Sequence, residues 1–210
     1  MRDGNPVKYS EITAYMRSAY SGDADMRDGF AKQQWKLDER LAFLARLAPT
    51  SRLLEIGAGT GDDSVFFQQR GLHVVATDLT PQFVARCREK GLDAHVADVL
   101  NLPFEDGSFD AIWTLNCLLH VPTADMPAVF GEMNRVLRTG GLCYVGVHAG
   151  RGPSEGIWDE DKHDPPRFFV FRTDEELTSL ARGSFDIIDF HTIVAGDEGW
   201  RFQSMTLCKR

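Results

Sequence analysis

The 210-residue chain has only four cysteines, with no Cys-x-x-Cys pair among them, and no cluster of lysine and arginine. Nor does it contain an apolar run near the ~20 residues of a membrane span. Each absence excludes something. Cys87, Cys117, Cys143 and Cys208 are too scattered for a disulfide framework or a zinc site, and read as reduced, mostly buried thiols of a cytoplasmic protein. With 23 basic against 31 acidic residues the formal charge is −8, which would repel a polyphosphate, so no nucleic-acid partner is expected. The opening Met-Arg-Asp-Gly-Asn-Pro lacks the apolar core of a secretory signal, so neither export nor membrane attachment is expected. Repeats and low-complexity tracts are absent as well. What remains is a chain 43% apolar and 26% charged, long enough to bury a core without metal or disulfide help.

Apolar periodicity and turn residues divide this chain into alternating elements. Residues 1–25 are polar and aromatic, with weak periodicity. Leu37, Leu41, Leu44 and Leu47 predict an amphipathic helix over 26–48, stopped by Pro49. Strands are expected at 52–56, 73–77, 93–97, 110–116 and 142–148, the last after a Thr-Gly-Gly turn at 139–141. Helices are expected between them: 62–70 ended by Gly71, a helix capped by Thr80 and closed by Gly91, and 124–138 capped by Thr123. Thr173 and Glu176 have capping-box spacing and open a helix to about 182. Two β-rich runs, 185–195 and 201–209, are too tightly joined for a crossover and predict an antiparallel hairpin at one sheet edge. The pattern is an α/β fold with a mostly parallel sheet covered on both faces, residues 51–210 forming the main domain and residues 1–50 a helical cap or lid.

The most informative stretch is Leu-Leu-Glu-Ile-Gly-Ala-Gly-Thr-Gly at 53–61. A strand running through glycines into a helix presents bare backbone to a nucleoside ligand, because a β-carbon would hold the ligand off. A dinucleotide fingerprint would need glycine at 62, where this chain has Asp62 followed by Asp63. Carboxylates at a helix N-terminus oppose a pyrophosphate, and Glu55 adds a third negative charge beside the turn. A sulfonium or ammonium ligand suits that surround better. Asp78, 21 residues after Gly57, is placed to accept hydrogen bonds from ribose hydroxyls in either case, and Asp98 to accept one from an adenine amino group.

With these residues in view, the chain resembles the class I S-adenosylmethionine-dependent methyltransferases of the small-molecule branch. The matching segments are 53–61, Val-Ala-Thr-Asp-Leu-Thr-Pro (75–81), Ala-Asp-Val-Leu-Asn-Leu-Pro-Phe (97–104), 107–122 and Arg-Val-Leu-Arg-Thr-Gly-Gly-Leu (135–142). The resemblance implies a Rossmann-like three-layer sandwich around a seven-stranded sheet ending in an antiparallel hairpin. It implies S-adenosylmethionine as cofactor, with Gly57, Ala58, Gly59 and Gly61 wrapping the methionine part and Glu55 behind its amino group. Asp78 would hold the ribose, Leu79 pack on the adenine, and Asp98 with the Val99 amide read the adenine edge. Leu115 and Asn116 would pass beside the methionine carbons.

Transfer from a sulfonium needs alignment and exclusion of water, and no metal. His120, matching a histidine frequent in that branch, is the candidate base and a candidate acceptor contact, joined by His148. The stretch 148–171 is expected to be a long loop that recognises the acceptor, with Arg151 and Trp158 facing it. Arg27, Lys36 and Arg40 are candidate partners of the methionine carboxylate, and Tyr15, Tyr20 and Trp35 candidate lid residues. The expected activity is methyl transfer to an O or N atom of a small-molecule acceptor by a monomer or homodimer. A non-catalytic S-adenosylmethionine-binding protein, a peptide or RNA methyltransferase and a dehydrogenase are the alternatives.

Overall fold

The computed structural model describes residues 8–23, 33–150, 154–195 and 200–210. Seven strands form one sheet in the order β3-β2-β1-β4-β5-β9-β8. They are β1 (Arg52–Ile56), β2 (His73–Asp78), β3 (Asp93–Val96), β4 (Phe109–Leu115), β5 (Leu137–Gly150), β8 (Asp186–Val194) and β9 (Arg201–Cys208). The first five run parallel; β9 pairs antiparallel with both β5 and β8, so the closing hairpin adds its second strand inside its first. Among the described residues the α-helices are α1 (Tyr9–Tyr20), α2 (Gln34–Leu44), α3 (Asp62–Gln68), α4 (Pro81–Glu89), α5 (Met126–Val136) and α6 (Asp174–Arg182). No helix among the described residues is long and apolar enough to cross a membrane.

Period-two alternation in the central strands makes the two layers of core. Leu53, Val74, Ala111, Trp113 and Tyr144 face one way and pack with Phe43 of α2 and Phe66 and Phe67 of α3. Leu54, Val75, Ile112, Cys143 and Val145 face the other and meet Val129, Phe130 and Met133 of α5 and Leu177 of α6. Trp113 stacks on Tyr144 at 4.0 Å and 13° in the middle of the sheet. The parallel strands are nearly all apolar because both faces are covered.

Several element boundaries differ from the sequence expectation. α1 occupies a stretch whose tyrosines obscure its period, yet Ile12, Met16 and Ala19 at i, i+4 and i+7 form one buried face. Helix 124–138 starts later, at Met126, after a 3₁₀ turn over Thr123–Asp125; Asp125, not Thr123, is the cap residue, and Pro127 sits in the first turn where its missing N–H costs nothing. Thr80 holds the cap position of α4, but its side chain makes no capping bond. Thr173 and Glu176 do form the reciprocal capping box of α6. The stretch 148–171 is not all loop. Ser154–Ile157 (β6) and Phe168–Phe171 (β7) pair as an antiparallel ribbon. β7 is buried on both sides: Phe168 and Val170 pack under Ile12 and Met16 of α1, while Phe169 and Phe171 join the main core beside Trp158.

A buried carboxylate ties α2 to the antiparallel edge. Glu39 accepts from the Tyr144 hydroxyl at 2.9 Å and from the Ser204 hydroxyl, and its other oxygen meets His191 Nε2 at 3.0 Å. His191 Nδ1 reaches Asp189 at 2.7 Å. Partial burial works against charge on this imidazole, but the hydrogen bonds to Asp189 and Glu39 outweigh it, so its pKa lies above the ordinary value. A raised histidine contributes stability below its unfolded pKa, near 6.5, and loses it as pH climbs through the folded value. Chemical denaturation of the wild type and His191→Gln should therefore diverge more at pH 6 than at pH 9. An equal difference at both values would show that the imidazolium does not contribute.

Candidate active site

The end of β1 enters the turn that forms the floor of a cavity at the carboxyl end of the parallel strands. The Gly57 and Ala58 amides donate to the Thr77 carbonyl at 2.8 and 2.9 Å, holding the tips of β1 and β2 together. Gly57 has φ +74°, and a β-carbon there would sit 2.4 Å from Cys117 Cβ. Gly59, φ +55°, is different: a β-carbon there meets no protein atom within 4 Å and would project into space. Gly59 lines the cavity, so its backbone faces that space with no side chain between. Asp78 completes the turn, one carboxylate oxygen accepting from the Gly59 amide at 2.9 Å and the other from the Thr80 amide at 2.8 Å.

The cavity lies directly above this turn. Of the residues expected to bind the cofactor, Gly57, Gly59, Asp78, Leu79, Asp98, Val99, Leu115 and Asn116 line it. Three do not. Glu55 is buried beneath the turn, where the Ser64 hydroxyl donates to its carboxylate. Ala58 packs with the cluster that includes Val84 and Cys87. A β-carbon at Gly61 would strike Leu92 Cδ1 at 2.6 Å, so that glycine lets the helix pack and does not face the cavity.

The carboxylates expected to set the local charge are not the ones that face a ligand. Asp63 is buried, paired with Arg40 and accepting from the Trp113 indole at 2.8 Å; Asp62 pairs with Lys90 at 3.0 Å. Their neighbours absorb the charge that the sequence pattern assigned to the rim. Arg40 is thereby removed as a partner for a ligand carboxylate. Lys36 lies over the Trp35 ring at 5.3 Å, and Arg27 is outside the described residues. The acidic groups that line the cavity are Asp78 and Asp98, and no lysine or arginine joins them among the described lining residues. A cationic ligand fits these walls for that reason rather than the one read from the helix start.

α1 closes the other side with Tyr9, Ile12, Thr13, Met16 and Tyr20. The Tyr9 hydroxyl donates to Asp98 at 2.5 Å, sharing that carboxylate oxygen with the Leu100 amide at 3.0 Å. Burial first, and the Asp98 carboxylate second, push the Tyr9 phenol far above its usual range, so it remains a donor. Tyr9 sits outside every sequence motif, so its pairing with Asp98 has no signal in the sequence. Of the candidate lid residues, Tyr20 lines the cavity, Tyr15 pins α1 to the Pro166 carbonyl at 2.5 Å, and Trp35 packs on Phe202 at 4.4 Å. Burial lifts the Cys117 thiol to about 12, which rules it out as a nucleophile near neutrality.

A second cavity opens beside the first and shares Tyr20, Asn116 and His120 with it. His148, Trp158, Arg167, Phe169, Phe171 and Trp200 complete most of its wall. His120 Nδ1 lies 2.6 Å from the Phe168 carbonyl, which can only accept, so Nδ1 carries the hydrogen. In the neutral ring Nε2 is then the acceptor, and the Tyr20 hydroxyl donates to it at 2.8 Å. Arg167 donates to the Tyr20 oxygen at 3.1 Å and is itself held by the Asp161 carboxylate at 2.8 and 2.9 Å. The bracket around His120 is fixed from behind by buried Arg172, which donates to the carbonyls of Leu118 and Val121. Burial, then the charge of Lys36, lower the His148 pKa to about 4, so this imidazole is neutral at pH 7. Arg151 lies outside the described residues.

The family model described as a methyltransferase domain matches residues 54–145. Malonyl-[acyl-carrier protein] O-methyltransferase of Serratia marcescens is 34% identical over 127 residues, covering 60% of this chain and 49% of that protein. The chain spans about half the length of the curated relatives it matches. Among solved structures, 1,6-didemethyltoxoflavin-N1-methyltransferase of Burkholderia thailandensis, with its namesake compound and S-adenosylhomocysteine bound, superposes with a TM-score of 0.80 at 23% identity, covering 99% of this chain and 92% of that one. The [4+2]-cyclase SpnF shares the fold too, with a TM-score of 0.67 at 20% identity over 96% of this chain and 94% of its own. Five sequence segments in order, the glycine turn lining the cavity and the family match point the same way: over residues 54–145 the chain is similar to methyltransferase domains.

Proposed function

We propose that this protein transfers a methyl group from S-adenosylmethionine to an oxygen or nitrogen atom of a small-molecule acceptor. The observation that carries the reading is the pair of adjoining cavities, which meet at Asn116, His120 and Tyr20. The donor belongs in the cavity over the glycine turn: Asp78 is the ribose partner, Asp98 and the Val99 amide read the adenine edge, Leu79 packs on the ring, and Leu115 and Asn116 flank the methionine carbons. Glu55, Ala58 and Gly61 support the turn from below, and residues 1–50 act as the cap over the 51–210 domain. Bound there, the sulfonium supplies a methyl group that needs no further activation.

The chain's own residues supply position and a proton acceptor. His120 is held by hydrogen bonds on both ring nitrogens, with Nε2 as the basic atom at the seam. We assign it to receive the acceptor's proton as the methyl bond forms, with Tyr20 as the adjoining group through which that proton reaches Nε2. His148 and Trp158 face the acceptor. Arg151, outside the described residues, is assigned to the acceptor side from its sequence position alone. The relatives include 27-O-demethylrifamycin SV methyltransferase and the structural neighbours an N-methyltransferase, which supports a small acceptor and leaves the atom open. The shared fold of a cyclase makes turnover, rather than binding, the decisive test. We place the protein in the cytoplasm, as a monomer or homodimer.

Asp78→Ala should weaken S-adenosylhomocysteine binding by ten- to a hundredfold in calorimetry, the loss expected for charged hydrogen bonds of about 1.5–3 kcal/mol. Unchanged affinity would contradict the ribose assignment. His120→Gln should lower the rate of labelled methyl transfer by about 10²-fold or more while leaving S-adenosylhomocysteine affinity within threefold. A rate close to wild type would remove His120 as the base.

A further inference from the structure

The second cavity carries more information than its position beside the donor site. We propose that it takes a flat, uncharged aromatic ring system bearing an N–H or O–H on the edge that meets Asn116. The proposal rests on the methyl-transfer reading above and gives its acceptor a chemical class.

The walls are an arc of rings. Phe169 and Phe171 lie near-parallel, 5.5 Å apart at 23°. Trp158 stands edge-on to both, at 5.3 Å and 76° and at 5.7 Å and 89°. Trp200 extends the arc, 5.4 Å from Trp158 and 5.8 Å from Phe171. Its two ends are imidazoles: His120 lies 4.8 Å from Phe169, and His148 lies 6.3 Å from Trp200. Rings that present both faces and edges reward a planar π-system with offset and edge contacts, which a saturated chain of equal volume cannot make.

Aromatic walls also suit quaternary ammonium groups. Here that role is already filled. The Arg167 guanidinium lies over the Tyr20 ring at 5.4 Å and the Phe169 ring at 5.2 Å, and it lines the cavity itself. A second cation beside it meets like charge.

The polar atoms of the cavity fix the edge chemistry. Asn116 Oδ1 and His148 Nδ1 are both buried and have no hydrogen-bond partner among the described residues. Buried polar atoms are seldom left unpaired, so each calls for a ligand or water. Asn116 Oδ1 can only accept, and therefore asks for a donor on the ligand. Asn116 also holds φ +55°, an uncommon backbone setting for a residue other than glycine, and does so at the seam between the cavities. The neutral His148 ring offers an uncharged partner at the other end. A ring system with a hydrogen-bond donor facing Asn116 satisfies that oxygen and brings the reacting edge beside the His120–Tyr20 pair. The step then balances: the acceptor atom gains CH₃ and loses H⁺ to the Tyr20 oxygen as the Tyr20 proton passes to His120 Nε2, and the sulfonium leaves as neutral thioether.

The test uses the full chain saturated with S-adenosylhomocysteine and three probes: 2-naphthol, its saturated counterpart 2-decalol, and tetramethylammonium. Binding is read from tryptophan fluorescence and calorimetry. 2-Naphthol should bind at least tenfold more tightly than 2-decalol, and tetramethylammonium should not saturate. Trp158→Leu should erase the preference for the planar probe. Asn116→Gly, which keeps the backbone setting and removes the amide, should weaken 2-naphthol at least fivefold. Equal binding of 2-decalol, preferential binding of tetramethylammonium, or no binding of 2-naphthol to protein that has taken up S-adenosylhomocysteine would overturn the proposal. Failure to take up S-adenosylhomocysteine at all would instead strike the donor reading beneath it.

Discussion

The Asp78 carboxylate is the contact on which the site depends. One oxygen holds the Gly59 amide and the other the Thr80 amide, so a single side chain fixes the glycine turn after β1 and the start of α4. Both are points where a parallel sheet ends and its backbone donors need partners. The Gly57 and Ala58 amides on the Thr77 carbonyl clamp the same two strand ends. The glycine turn and the start of α4 are therefore set before a ligand arrives, which is how preorganised sites limit the cost of binding.

The opposite wall is built from separate pieces of chain brought together. α1 contributes Tyr9 and Tyr20, the turn after β4 contributes Asn116 and His120, and the β6–β7 ribbon contributes Phe169 and Phe171. These are joined by few but directional bonds: Tyr9 to Asp98, Tyr20 to His120, and His120 to the Phe168 carbonyl. His163 adds another clasp, meeting Asp23 just past α1 at 2.9 Å. The two cavities thus share a boundary made of polar side chains, Tyr20, Asn116 and His120.

Much of the sheet side was legible in the sequence, because each strand there ends in a residue pattern that has one physical use. Gly59 and Asp78 can be read at sight: bare backbone and a carboxylate at fixed distance along the chain. Charge was harder to read. Asp62 and Asp63 looked like a rim, but Lys90, 28 residues away, and Arg40, 23 residues before Asp63, neutralise them, and such pairings are set by packing rather than local pattern. The acceptor side was legible in composition only. The aromatics of 148–171 announced burial, yet Phe168 and Phe169 point to opposite sides because they form a strand, and that strand's partner lies in a stretch rich in glycine. Tyr9 stands out in residues 1–25 only as an aromatic, since its contact with Asp98 comes from where α1 packs and not from any motif around it.

The central claim is that the glycine turn carries a sulfonium nucleoside and not a dinucleotide. Calorimetric titration of the full chain with S-adenosylhomocysteine and with NAD, side by side in one buffer, tests it most directly. The account predicts saturable one-to-one binding of S-adenosylhomocysteine and no measurable heat from NAD. Tight NAD binding with none for S-adenosylhomocysteine would contradict it.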